Sequence, residues 1–150
     1  MKARDIIHCS GHANVRALHP TTFEVTTAET LSTAGDCIVG VCSDKGAADL
    51  NPALRALIAD DRAVVLTRLI VGDLEVTVRA RGSGGLTLDH EDDLVWRRSD
   101  FVCGRTVCVG ADTVARTIDR RLVALLREGV DLVVEIEAFV DENEPSDRVY

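Results

Sequence analysis

The chain has 150 residues, 46% of them hydrophobic and only 3% aromatic, so one core can be filled from Val, Leu, Ile and Ala. A formal net charge of −8 disfavours non-specific binding to nucleic acid, which needs excess cations against phosphate. No apolar run reaches a membrane span, no leader pattern opens the chain, and five cysteines without a C-x-x-C pair argue against a disulfide scaffold, so a soluble cytoplasmic protein with small buried thiols is expected.

In chain order, residues 3–8 (ARDIIH) predict a short strand stopped at Ser10-Gly11. Residues 15–26 read as mostly extended, with Phe23 and Val25 on one face and Glu24 and Thr26 on the other. After a polar loop, residues 37–42 form a β-rich run buried on both faces. Asn51 and Pro52 open a helix whose apolar stripe is Leu54, Leu57 and Ile58. Residues 63–71 and 74–81 are strands joined by the Gly72-Asp73 turn, the second with Leu74, Val76, Val78 and Ala80 inward.

The same succession then returns. Residues 86–97 answer 15–26, and residues 103–125 answer 35–57, with Asp119 capping a helix striped by Leu122, Leu125 and Leu126. Gly129 stops that helix, residues 132–140 make the last strand, and 141–150 read as a frayed tail. At a constant offset of 68, residues 39–65 and their later counterparts agree at 8 of 27 positions, where composition alone gives about two. The expected fold is therefore α+β: one domain, 1–140, of two duplicated β-β-β-α-β repeats (1–71 and 72–140), mostly antiparallel and with pseudo-two-fold symmetry. Two such units can close into a barrel. Gly35-Asp36 resembles the glycine–aspartate turn of cradle-loop barrels in the first half only, Cys103-Gly104 standing there in the second.

The stretches GHANVRALHPTTFEVT (11–26), GDCIVGVCSDKGAADL (35–50), LTLDHEDDLVWRRSDF (86–101) and GADTVARTIDRRLV (110–123) together resemble the archaeal domain-of-unknown-function family 371, in register over nearly the whole chain. That resemblance implies an archaeal cytoplasmic protein of a family without an established reaction.

Residues with chemistry fall into four groups. His19 and His90 occupy equivalent places before strands, with Glu24 near one and Asp92-Asp93 near the other, which suits acid–base work or a divalent metal. The plainer reading is that each ring donates to nearby backbone and fixes a turn. Asp36, Asp44 and Lys45 flank the buried strand, and Lys45 is one of two lysines against 15 arginines. It can meet a substrate anion, or pair with Asp36, Asp44 or Asp49. His8, Cys9 and His12 crowd ligands that suit zinc or another transition metal, though a fourth ligand must come from elsewhere. Arg79 and Arg81 share a strand face and can grip an anion as a fork pair, with Arg97 and Arg98 as further anion-binding candidates; the plainer reading is that they are the wet face of a strand.

Two functions follow. In the first, a small-molecule enzyme or ligand-binding protein has a polar site between the repeats, built from His19, Glu24, Asp36, Asp44, Lys45, His90 and Asp93. In the second, a non-catalytic binding or assembly module meets RNA or protein through the arginine-rich residues 79–127, net charge +2. Homo-oligomerisation is compatible with either.

Overall fold

Apolar residues at every second position set the longer strands of this chain, and two apolar stripes set its two short helices. The computed structural model describes residues 1–141. Its strands are β1 (Lys2–Ser10), β2 (Thr22–Thr26), β3 (Ile38–Gly40), β4 (Val64–Val71), β5 (Leu74–Arg81), β6 (Asp93–Arg97), β7 (Thr106–Cys108) and β8 (Asp131–Phe139). Helix α1 is Pro52–Ile58 and α2 is Arg120–Leu126, each preceded by a single 3-10 turn, Ala47–Asp49 and Ala115–Thr117. The N-caps are as expected: Asn51 accepts from the Ala53 N–H and Asp119 from the Arg121 N–H. From residue 142 the expected tail lies outside the described residues.

The strands form two four-stranded sheets, ordered β1-β8-β4-β5 and β3-β2-β6-β7. The first is antiparallel throughout; in the second, β2–β6 is antiparallel while β2–β3 and β6–β7 are parallel. The expectation of a barrel is corrected here: the sheets do not close. β1 and β5 reach the second sheet only through the single bridges Ser10–Val41 and Arg81–Val109. The ladders cannot run on, because β3 and β7 are three residues long and the chain turns left-handed soon after them, at Cys42 (φ 56°) and Gly110 (φ 61°).

The core lies between the sheets. Phe23 and Trp96 stack at 4.7 Å, and the Trp96 indole N–H donates to the Thr67 hydroxyl of β4 at 2.8 Å. The far face of the first sheet is wet, and carries an ion-pair chain of Arg4, Glu135, Arg68 and Glu75. Gly11 lies against the last turn of α2 and Gly82 against the end of α1. A Cβ there would fall 2.0 Å from the Leu126 carbonyl oxygen or 2.2 Å from that of Ile58. The cysteines depart from expectation: Cys9 and Cys108 are buried with thiols pushed up to about 12 by burial, Cys37 and Cys103 are half-buried, and Cys42 is exposed. Among the described residues no helix is long and apolar enough to cross a membrane.

Candidate functional site

The β2–β6 ladder joins the two halves of the chain, and its register decides which side chains meet. Thr22 faces Arg97, Glu24 faces Val95 and Thr26 faces Asp93, all on the side of the sheet turned away from Phe23 and Trp96. A strand face that polar is normally wet, yet Thr22, Glu24 and Thr26 are all buried, and Thr106 joins them from β7 with no exposed surface. The result is a buried polar layer.

Glu24 is its centre, 5% exposed. Arg105 spans it and its neighbour, donating to Glu24 Oε1 at 3.1 Å and to Asp93 Oδ2 at 3.4 Å. Burial, and then the Asp93 charge, hold the Glu24 carboxyl above the usual range despite Arg105 and Arg97. The Thr26 hydroxyl donates to Asp93 Oδ1 at 2.8 Å, and His90 Nε2 lies 3.9 Å from Asp93 Oδ2. His90 Nδ1 accepts from the backbone N–H groups of Asp92 and Asp93, so the proton of the neutral ring sits on Nε2, facing the carboxylate.

Cys103 closes the layer on the β7 side. Arg97 donates through Nη2 to its sulfur at 3.4 Å and through Nε to the Thr106 hydroxyl at 2.8 Å, while its guanidinium rests on the Phe101 ring. Burial acts to raise this thiol. The Thr106 hydroxyl, the Arg105 backbone N–H and Arg97 outweigh it and bring the thiol down to about 7. Across the layer, burial and the Glu24 charge push Cys37 the other way. Arg97 at the thiol and Arg105 at both carboxylates thus set two guanidinium groups within the one layer.

Of the seven residues expected at one site, Glu24, His90 and Asp93 come together and four do not. His19 and His90 stand at opposite ends of the β2–β6 ladder, about 14 Å of strand apart. Each ring does hold a turn, but as acceptor rather than donor: His19 Nδ1 takes the N–H groups of Thr21 and Thr22. Asp44 pairs with the backbone of His8, and Asp36 lies 3.6 Å from Arg16. Lys45 reaches none of the acids expected of it. It donates to Asp5 Oδ1 at 2.7 Å and to the Ile6 carbonyl at 2.9 Å.

His8 and Cys9 point to opposite faces of β1, Cys9 into the core toward the Leu132 carbonyl, and His12 Nδ1 accepts from the Asn14 N–H. Among the described residues no three His, Cys, Asp or Glu side chains are grouped to hold a metal. Arg97 enters the polar layer, whereas Arg79, Arg81 and Arg98 are exposed. Sequence reasoning gave Cys103, Arg105 and Thr106 no place in the site. The available signal was a cysteine in a glycine-containing turn bracketed by Arg97 and Arg105, a setting that favours a thiolate.

The family model described as domain of unknown function (DUF371) matches residues 7–139. An uncharacterized protein of Methanocaldococcus jannaschii is 33% identical over 131 residues, 87% of this chain and 96% of that protein.

Proposed function

We propose that this chain, which belongs to the DUF371 family, is a small-molecule enzyme whose site is the polar layer at the β2–β6 ladder. The observation that carries the reading is the Glu24 carboxyl, 5% exposed, ion-paired with Arg105, and held above the usual carboxylate range by burial and Asp93. A buried carboxyl whose pKa is raised and which sits beside a cation is the kind of group a general acid–base requires. Arg105 and Arg97 supply charge for a substrate oxygen, and Cys103, with its thiol at about 7, supplies a nucleophile that is half ionised at neutral pH.

The layer lies between two repeats, 1–71 and 72–140, of one domain built by duplication. What supports this part of the reading is order and reciprocity. Both halves run β-β-β, 3-10 turn, helix, β, and each strand order is unchanged when the halves are exchanged and the sheet is read from its other end. The 3-10 turns are also bonded crosswise: Ala48 N–H to the His90 carbonyl, Arg116 N–H to that of His19. A module reading its partner through Arg79, Arg81, Arg97 and Arg98 has less support, since Arg97 is engaged in the layer.

Alkylation of Cys103 by iodoacetamide across pH, with native mass spectrometry of the purified protein for a retained small molecule, tests the reading. A rate midpoint near 7 is expected, rising toward the ordinary thiol value of about 8.5 in Arg97→Leu. Glu24→Gln should lose the retained molecule. An ordinary midpoint, together with a Glu24→Gln protein indistinguishable in both assays, would sink the proposal.

A further inference from the structure

A second site lies away from the polar layer. Arg120 opens α2 and Arg127 ends it, with Val123 and Ala124 between them, and the spacing i, i+3, i+4, i+7 sets all four on one helix face. Arg16 comes in from the loop before β2, and the five residues line an open groove of about 440 Å³. Arg120 is what brings the loop to the helix: it donates to the carbonyls of Arg16, Ala17, Ala115 and Arg116 at 3.0 to 3.3 Å. All four acceptors are carbonyls, so among the described residues its charge is met by dipoles and by no carboxylate.

The other two arginines differ. Arg16 is ion-paired with Asp36 at 3.6 Å and donates to the Thr33 carbonyl at 3.4 Å, while the Arg127 guanidinium has no partner among the described residues. Residues 116–128 hold four arginines against Asp119, which is bound to Arg121, and the exposed Glu128. This concentration of cations stands out in a chain of net charge −8. The fold does not require it. Pro52 opens α1 where Arg120 opens α2, and Ala59 caps α1 where Arg127 caps α2. Thr87 stands three residues before His90, as Arg16 stands three before His19.

We infer that the groove formed by Arg16, Arg120 and Arg127 binds a phosphate-bearing small molecule. Its dianion meets the open Arg127 fork within the field of Arg120 and Arg16, and its less polar part lies on the exposed Ala124. Guanidinium forks match phosphate oxygens, and a dianion matches the uncompensated charge better than a single carboxylate does. The site is independent of the acid–base layer, so either proposal can fail alone.

The test is calorimetric titration of the full chain with inorganic pyrophosphate and inorganic phosphate at fixed ionic strength, with acetate as the monoanion. Pyrophosphate should bind, acetate should not, and Arg127→Ala should weaken pyrophosphate binding by about tenfold. Arg127→Glu should abolish it. Arg127 is exposed and unpartnered, so both variants keep the fold, and Arg121→Ala, on the Asp119 side of the helix, should bind as the parent does. No pyrophosphate binding at millimolar concentration overturns the proposal, as does equal binding by Arg127→Glu. So does binding of a short RNA through these arginines without any binding of pyrophosphate.

Discussion

Two corners of the molecule begin alike and then part. After β3, Asp44 accepts from the His8 N–H and its own N–H donates to the His8 carbonyl; after β7, Asp112 makes the same two bonds to Arg79. One residue later Lys45 reaches across to Asp5, whereas the Thr113 hydroxyl turns back onto Asp112. Three residues before His8 stands Asp5, and three before Arg79 stands Val76. A corner of this shape thus requires a carboxylate to satisfy strand backbone, while the charge beside it is optional. Where present, that charge comes as a complete pair, so the isolated lysine of the sequence is explained by a partner and not by a substrate.

The glycines at the ends of both helices are the sharpest check on what the corners share. Gly11→Ala and Gly82→Ala each force a Cβ into a carbonyl oxygen, at 2.0 and 2.2 Å, and each should cost about 3 kcal/mol or more in urea unfolding. If either substitution proves silent, the close packing of that helix end is wrong.

The ion pair comes next. Lys45→Ala leaves Asp5 14% exposed without its cation and should destabilise by about 1–3 kcal/mol. The double variant Asp5→Val/Lys45→Thr installs the residues of the other corner and should recover part of that loss, the Asn51 N–H having lost its Asp5 acceptor. A double variant worse than the single would break the comparison. The pH dependence has a definite sign. Burial raises Asp5, but Lys45 and the Asn51 and Ile6 N–H groups outweigh it and lower its pKa. Its stabilisation is therefore present above the unfolded value of about 3.9 and lost as pH falls through the lower folded value. Lys45→Ala should shrink that acid-side loss.

Asp44→Ala and Asp112→Ala should each cost about 1 kcal/mol, and nearly equally, because each deletes one acceptor from one strand N–H. Clearly unequal costs would show that the corners differ in more than their charges. The smallest effect belongs to Glu24. Its folded pKa is raised, so its protonation stabilises the fold fully below the unfolded value of about 4.3, and the gain fades as pH rises through the folded value. Relative to the parent, Glu24→Gln should flatten the stability-versus-pH curve in that window. An unchanged slope would mean that the carboxyl is ordinary.

Asparagine and aspartate N-caps, the Gly72-Asp73 hairpin and the period-2 pattern of β4, β5 and β8 act through neighbours within a few residues. The elements could therefore be read from residue order. Residues 15–21 lie outside both sheets although Val15 and Ala17 are buried. Ala17 adopts a left-handed turn (φ 51°) that no local pattern announces.

The sequence by itself determined the succession of strands and helices, their caps and turns, and the family, since each depends on local geometry or on residues in order. Only the tertiary structure decided that the sheets stay open and that Lys45 belongs to Asp5. It alone set His19 and His90 at opposite ends of a ladder and gathered Glu24, Arg105 and Cys103 into one layer. The reason is physical. Those outcomes depend on strand register between distant segments, and a side chain's charge state follows the burial and neighbours that register brings.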